Sequence, residues 1–433
     1  MLAPATLRAQ DAPRPDSLSP DSLAARLARA EAAIAALRQQ MATESQSSVH
    51  TRSRLQLELT GRILTNTFGT YGRANNVDVP LVALAPSNVL ETNAFGITAR
   101  QTRVGGVVSV LEVLGGEFVG DLDIDFFGGV QSGPGDRRLF PEPRLRTTRA
   151  RLIWSRTEIM VGMDDPLVSL LNPVSLAAVG VPEFSGSANL WNWLGQIRLS
   201  QAVGTARIAN TPVRFTLQGE VIAPFSGSVY PDEPDAVDAG ERSARPAFEA
   251  RLQSRWGDST LVGGTDASIG NGGGEIGIST HRGWVATGDG ELQSSYAYAM
   301  DARINIVPRV ELRGEAYVGR LVRGLGGGGI NQAFGRSAVV GELGPPIRDR
   351  AAWGQLNAQL LRPLLGSAGC GVDVVNPDDR PVRQRNAVCA TSLLWRPSEP
   401  IVVGLEYRHV STHYDAGGTG RVNAINLALG FEL

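Results

Sequence analysis

Charged and apolar residues alternate one by one over the ten residues from 117 to 126. Acids occupy odd positions of this stretch and apolar residues the even ones: Glu117, Asp121, Asp123 and Asp125 against Phe118, Leu122, Ile124 and Phe126. Because successive side chains of a β-strand point to opposite faces, one face is apolar and the other acidic. A soluble sandwich would gain little from the acidic face, whereas a transmembrane barrel presents one face to lipid and the other to a water-filled lumen. The stretch therefore predicts a strand of a membrane-spanning barrel.

The same alternation recurs along most of the chain. It is present in segments 54–63, 214–221, 248–256, 309–318, 355–360 and 405–409, and a final strand is predicted from Val422 to Leu433. Repetition of this uncommon pattern indicates that the strands share one sheet with an oily outside and a polar inside. We predict an all-β fold: a transmembrane antiparallel β-barrel of about sixteen strands between residues 51 and 433.

Connections between the predicted strands alternate between short and long, as in outer-membrane barrels. The short ones are 155–157, 257–259, 308, 362–363 and 396–398, and the long ones include 66–93, 224–245 and 321–350. After the first long connection, a return strand is predicted from Thr98 to Leu111. Between residues 260 and 290 the pattern leaves the strand count open, because the Gly-rich segment 271–274 is either a turn or a bulge.

Composition narrows the class of protein further. Hydrophobic residues make up 42% of the 433 residues, and no run approaches the roughly 18 uncharged apolar residues that a membrane helix needs. A formal net charge of −2 argues against a nucleic-acid partner. All 41 basic residues are arginine, whose planar guanidinium suits bidentate pairing with carboxylates in a polar lumen.

The first fifty residues carry a different pattern from the rest. Residues 1–10 resemble the end of a secretory signal with a small-residue cleavage site at 7–9, so we expect a signal-peptide remnant. Residues 11–48 are predicted to be a linker and a coiled-coil helix. Apolar residues follow a heptad there, at Leu23, Leu27, Ala30, Ile34, Leu37 and Met41. The alternative is a single amphipathic helix lying on another surface.

Two cysteines flank the predicted hairpin loop at 376–379. Cys370 and Cys389 lie on either side of that loop, so they could face each other across two strands. In an oxidising compartment this arrangement favours a disulfide. The alternative is a pair of free thiols on opposite faces of the sheet.

Several segments together resemble the DcaP-like trimeric porins, which are relatives of the phosphate-selective porins. The resemblance rests on the order and spacing of residues 102–105, 116–128, 144–146, 161–163, 369–373, 385–386 and 403–407. It covers most of residues 55–433 and also the preceding heptad. The resemblance implies a sixteen-stranded homotrimer in the outer membrane of a Gram-negative-type bacterium, with the N-terminal helix in the periplasm. It also implies that the third outer loop, residues 165–192, folds inward as a constriction.

The charged faces of the predicted strands are the candidate pore lining. Facing acids and arginines would set a field across the lumen that favours small polar or charged solutes, with a weak preference for anions. The alternative is that the pairs only satisfy one another and stiffen the wall. The predicted lining residues are Arg100, Arg103, Glu117, Asp121, Asp123, Asp125, Arg144, Arg146, Arg149, Arg151, Asp164 and Asp165.

No motif indicates catalysis, a metal or a cofactor. His409 and His413 would lie about 13 Å apart on a strand, too far to share a metal ion. The Gly-rich loop at 324–329 lacks the Lys-Ser/Thr of a phosphate-binding loop, and no Ser-His-acid arrangement stands out. We therefore expect a passive channel that is not an enzyme. The alternatives are a barrel with a structural or adhesive role, a membrane-embedded hydrolase, and a soluble all-β protein.

Overall fold

The computed structural model describes residues 55–87, 93–128, 138, 140–227, 237–257, 273–287, 290–339 and 342–432, with the backbone of 48–50. The chain divides into two compact units, Met1–His50 and Thr51–Leu433. Of the first unit, only the short strand Ser48–His50 is described. The predicted signal remnant (1–10) and the predicted linker and coiled-coil helix (11–48) therefore lie outside the described residues, apart from the backbone of residue 48.

Within the described residues of the second unit, sixteen antiparallel strands form a closed barrel. Neighbouring strands pair in chain order, and β16 pairs with β1 to close the ring. This confirms the predicted fold class. The strands are β1 Leu55–Tyr71, β2 Ala94–Thr98 continued by Arg103–Val113, β3 Gly116–Gly128, β4 Glu142–Ile153, β5 Thr157–Asp164, β6 Leu194–Ile208, β7 Thr211–Ile222, β8 Ala247–Gly257, β9 Gly273–Ala286, β10 Leu292–Val307, β11 Val310–Arg320, β12 Arg348–Leu361, β13 Leu364–Val375, β14 Arg383–Trp395, β15 Ile401–Tyr414 and β16 Gly418–Glu432.

Several sequence-based boundaries were wrong; for example, β1 continues to Tyr71, so the first long connection does not begin at residue 66. The predicted strand from Thr98 to Leu111 is interrupted at 99–102, where the hydroxyl of Thr102 accepts from the N–H of Leu64 (3.1 Å) and donates to its carbonyl oxygen (3.2 Å). Gly257 at the end of β8 pairs with Gly273 at the start of β9, which excludes the predicted short turn at 257–259. The alternating pattern restarts there, with Glu275 and Ser279 buried and Ile278 exposed.

The barrel reverses the usual distribution of residues between surface and interior. Large apolar side chains lie on the outer face, where Leu122, Ile278 and Tyr298 are 44%, 63% and 61% exposed. Charged side chains such as Arg251 and Asp301 are buried inside the barrel. This distribution is costly in water but is the one that a barrel in lipid requires. Among the described residues, no helix is long and apolar enough to cross a membrane.

We expect Leu122→Arg to destabilise the folded barrel in lipid by about 2–4 kcal/mol, because it puts a charge in the middle of the apolar outer face. The matched control is Leu114→Arg, in the turn between β2 and β3, where the side chain is 81% exposed. At that end of the strand we expect a cost of about 0–1 kcal/mol. Urea unfolding in lipid vesicles measures both values. Equal costs for the two variants would show that the outer face does not contact lipid as described.

A disulfide joins β13 to β14 on the outer face of the barrel. Cys370 and Cys389 stand directly opposite each other, with their Cα atoms 4.1 Å apart. Both residues are exposed on the same face as Leu393 and Trp395. We expect alkylation without reductant to leave the mass of the protein unchanged, and alkylation after reduction to add two labels. Two labels added without reductant would show free thiols.

Candidate functional site

The inner wall formed by β2 to β5 carries a ladder of ion pairs. β3 presents three acids inward, and the register puts them beside arginines of β2 and β4. Each acid bonds to at least one arginine. Asp121 accepts from Arg149 (2.7 Å) and Arg151 (3.1 Å), Asp123 accepts from Arg103 (3.3 Å, with a second, shorter contact), and Asp125 accepts from Arg144 (3.0 and 2.6 Å). The structure therefore brings together seven of the predicted lining residues in one ladder.

The arginines of this ladder are more exposed than the acids. The side chains of Arg103, Arg144, Arg149 and Arg151 are 26%, 27%, 35% and 28% exposed. Those of Asp121, Asp123 and Asp125 are 7%, 16% and 0% exposed. The carboxylates thus lie against the wall while the guanidinium groups stand in front of them. Although opposite charges nearly balance, the surface that meets water in this part of the lumen is basic.

Arg146 differs from its neighbours on the wall. It is 8% exposed, and its Nε has no hydrogen-bond partner. Its closest carboxylate oxygens, on Asp123 and Asp125, are both 3.9 Å from Nε. Instead, Nη1 donates to the carbonyl oxygen of Val179 (3.1 Å), and the guanidinium lies 4.5 Å from the centre of the Trp193 ring. Arg146 therefore connects the wall to the long loop between β5 and β6.

Two other predicted lining residues lie in different surroundings. Arg100, in the interruption of β2, is buried in a bidentate ion pair with Asp78 and lies 4.0 Å from the centre of the Phe127 ring. It thus anchors the loop after β1 to the wall. Glu117 is half-buried at the start of β3, beside Ile153 in the register, at the end of the barrel with the short turns.

Asp164 and Asp165 lie where β5 leads into the long loop. Asp164 is 3.3 Å from both Arg149 and Arg198. Burial, with the negative charge of Asp164 beside it, raises the pKa of Asp165 to about 7, although Arg146, Arg149 and Arg198 oppose the shift. Asp165 therefore changes its charge near neutral pH, which acids ordinarily do not do.

We expect anion preference to fall between pH 6 and pH 8, because Asp165 becomes negative over that interval. Protonation of Asp165 also stabilises the folded barrel, so stability falls with rising pH as the anion preference does. Because the folded-state pKa is above the unfolded value of 3.8, the contribution is complete below pH 3.8 and is lost as pH rises through about 7. Reversal potentials measured at each pH test this, with Asp165→Asn expected to abolish the change. An Asn variant with an undiminished pH response would contradict the assignment.

The loop between β5 and β6 lies inside the barrel and follows its wall. We call residues 166–180 the collar and residues 181–193 the returning limb. The collar meets the wall at β7, β8, β11, β12, β15, β1, β2 and β4 in that order, which is almost a complete circuit. The wall residues that bond to it are Glu220, Glu249, Glu315, Arg313, Gln355, Glu406, Asn66, Gln101, Arg146 and Arg144.

The returning limb also contacts the wall of the barrel directly. Asn386 on β14 donates to the carbonyl oxygens of Gly186 (2.6 Å) and of Leu81 in the loop after β1 (2.8 Å). Phe184 and Leu190 are fully buried and belong to an apolar cluster that includes Trp353 of the wall. Burial also raises the pKa of Glu183 well above its ordinary value, and nearby Glu406 adds to the shift. The limb therefore narrows the lumen with largely uncharged surface.

Sequence reasoning missed the role of the residues that hold the collar. Alternation correctly put Glu220, Glu249, Glu315, Gln355 and Glu406 on the inner face, but gave no indication that they bind a loop. The alternating pattern gave no indication of the role of Gln101, because this residue lies where the predicted strand is interrupted. The available signal was the combination of acids on the inner face of the strands with an apolar loop rich in Leu, Val and Ala.

The structure also contains a Ser-His-acid arrangement, which sequence reasoning did not find. His281 Nδ1 is 2.8 Å from Glu249 Oε1, and its Nε2 is 3.3 Å from Ser295 Oγ. The serine hydroxyl donates to the carbonyl oxygen of Leu321 (3.1 Å), and all three side chains are buried. The hydroxyl is therefore committed to a structural bond that joins the wall to the outer loop.

Histidines and acids elsewhere do not assemble a metal site in the described part of the chain. There, no group of three or more His, Cys, Asp or Glu side chains is placed to hold a metal ion. His409 and His413 bond to different partners on β16, Asn423 (2.9 Å) and Thr419 (3.1 Å).

The strand topology and the polar inner wall together define an outer-membrane-type β-barrel architecture. No protein-family model matches this chain, and no curated protein matches it. Among solved structures, the outer membrane channel DcaP of Acinetobacter baumannii is similar, with a TM-score of 0.63 at 13% identity over 89% of this chain and 100% of that chain. OmpT of Vibrio cholerae (TM-score 0.51, 7% identity, 89% and 100% covered) and an anion-selective porin of Comamonas acidovorans (0.50, 11%, 88% and 100%) are also similar. The predicted DcaP-like barrel is thus confirmed at the level of the fold.

Proposed function

We propose that this chain is an outer-membrane porin through which small hydrophilic solutes, with a preference for anions, diffuse down their gradients. The observation that carries the proposal is the basic surface in the lumen, where exposed arginines stand in front of recessed carboxylates. Such a surface concentrates anions, and a polar lumen inside an apolar exterior admits solutes that lipid excludes. Diffusion of this kind involves no reaction, cofactor or energy coupling. Similarity in fold to DcaP and to an anion-selective porin agrees with it.

The predicted lining residues divide into five groups in this proposal. Arg103, Arg144, Arg149 and Arg151 face the solute, and the acids Asp121, Asp123, Asp125 and Asp164 hold them in place. Arg146 and Arg100 support the inward loops. Asp165 adjusts the charge with pH, and Glu117 lies at the mouth with the short turns.

The assembly that we propose is a homotrimer in the outer membrane of a Gram-negative-type bacterium. The heptad between Leu23 and Met41 supports association of copies, and the helix would then lie in the periplasm with the short turns. Chemical crosslinking in detergent tests the assembly. A ladder ending at three copies is expected, and a single monomer band after efficient crosslinking would contradict it.

A second candidate is a barrel with a structural or adhesive role and a closed lumen. The observation that favours it is the apolar packing of the returning limb, in which Phe184 and Leu190 are fully buried. In that case the outer loops would be the active surface, and no solute would pass.

Swelling of proteoliposomes separates the two candidates. Vesicles containing the purified chain are diluted into isotonic sugars, dicarboxylates and phosphate, and swelling is followed by light scattering. The porin proposal expects swelling that falls with solute size and is faster for anions than for neutral solutes of equal size. Vesicles that respond like protein-free controls to every solute would support the closed barrel.

A further inference from the structure

Two glutamines bind the collar through both ends of their side-chain amides. Gln355 on β12 accepts from the N–H of Val174 (2.7 Å) and donates to the carbonyl oxygen of the same residue (3.0 Å). Gln101, in the interruption of β2, accepts from the N–H groups of Val179 (2.9 Å) and Gly180 (2.8 Å) and donates to the carbonyl oxygen of Ala177 (2.9 Å). Each side-chain amide thus forms with the collar backbone the pair of hydrogen bonds that a neighbouring strand would form.

These bonds are directional and shielded from water. Gln355 and Gln101 are 2% and 1% exposed. Gln355 also donates to Glu183 (3.2 Å), so that it joins the collar to the returning limb. Hydrogen bonds depend on distance and angle, and a buried amide that loses its partner is costly. The two glutamines therefore fix which collar residue faces which strand.

The remaining contacts of the collar are apolar packing and hydrogen bonds in which the wall side chain acts only as a donor or only as an acceptor. Val174, Leu176 and Val179 pack on apolar residues of the inner wall, including Leu64 and Leu365. Apolar burial is non-directional, so it resists detachment of the collar but permits sliding along the wall. The carboxylates of Glu220, Glu249 and Glu406 can only accept hydrogen bonds when they are ionised.

We propose that Gln101 and Gln355 are positioning residues that fix the register of the collar against the wall and thereby set the size cutoff of the pore. The proposal rests on the porin function. It predicts that loss of either amide lets the collar occupy several positions, while the barrel remains folded.

The test uses Gln101→Ala, Gln355→Ala and the double variant in the full chain. The matched control is Gln218→Ala, because Gln218 is an inward residue of β7 that donates to Ser200 of the neighbouring strand (3.2 Å). The wild type and the control are expected to give one conductance level and one swelling cutoff. The double variant is expected to add wider levels and to raise the swelling rate for a trisaccharide, relative to a monosaccharide, by about fivefold.

Hydrogen exchange gives a readout that does not depend on conduction. The amides of Val174, Val179 and Gly180 are expected to exchange about fivefold faster in the variants than in the wild type. Heat-modifiable electrophoretic mobility identifies any variant that fails to fold, and Gln355→Met, which keeps the size of the side chain but loses both amide bonds, then serves instead. Unchanged exchange and cutoff in folded variants would overturn the inference. A wild type that passes no solute would overturn the porin function, while exchange would still test the glutamines.

Discussion

Replacing both Arg149 and Arg151 by glutamine is expected to turn a weakly anion-selective pore into a cation-selective one. The change removes two of the four exposed arginines of the ladder and leaves the Asp121 carboxylate without its arginine partners. A unit charge 4 Å away in water is worth about 1 kcal/mol, or about fivefold in local ion concentration. With some screening by salt, we expect the chloride-to-potassium permeability ratio to fall by about tenfold.

Reversal potentials in a salt gradient measure this ratio. Arg149→Lys with Arg151→Lys keeps both charges and is expected to retain the anion preference. Arg350→Gln, at an exposed position of β12 on the outer face, makes a charge change outside the lumen and is expected to have no effect. Anion preference that persists in the glutamine variant would mean that this ladder does not face the conducting path.

Removal of the collar and returning limb is expected to give the largest change in conductance. Asp164 and Leu194 are paired in the ladder between β5 and β6, so a two-residue Asn-Gly turn could replace residues 165–193. A sixteen-stranded barrel without its inward loop has a wide aqueous lumen. We therefore expect single-channel conductance to rise on the order of threefold, and the size cutoff for sugars to increase with it.

The acids that bind the collar would meet water after this deletion, which removes the need for their partners. We therefore expect the shortened chain to fold, as judged by heat-modifiable mobility. A folded deletion variant whose conductance and cutoff match those of the wild type would show that the collar is not the constriction.

The barrel was predictable because its strands obey a short-range rule. Along β3, alternation alone separated Asp121 and Asp123 from Leu122, and the exposed position of Leu122 agrees with it. Pairing of these acids with arginines of β2 and β4 also followed, because neighbouring strands in an antiparallel meander are adjacent in sequence. The disulfide position followed for the same reason, since Cys370 and Cys389 are separated by one hairpin.

The inward fold of residues 165–192 was implied by the family resemblance, but the contacts of the collar were not predictable, because they join residues that are far apart in sequence. Ser175 bonds to Glu406 and Val174 to Gln355, and no local periodicity reports such pairs. Arg100 was assigned to the lumen by its charge. The interruption of β2, which directs it to Asp78, depends on loops that fold inward and could not be inferred from the strand pattern.

Whether water and ions pass through the purified wild-type chain can be measured directly in a planar bilayer. We expect stepwise current increases in potassium chloride, with a reversal potential on the anion side in a salt gradient. Insertion of folded, heat-modifiable protein without any current steps would contradict this expectation.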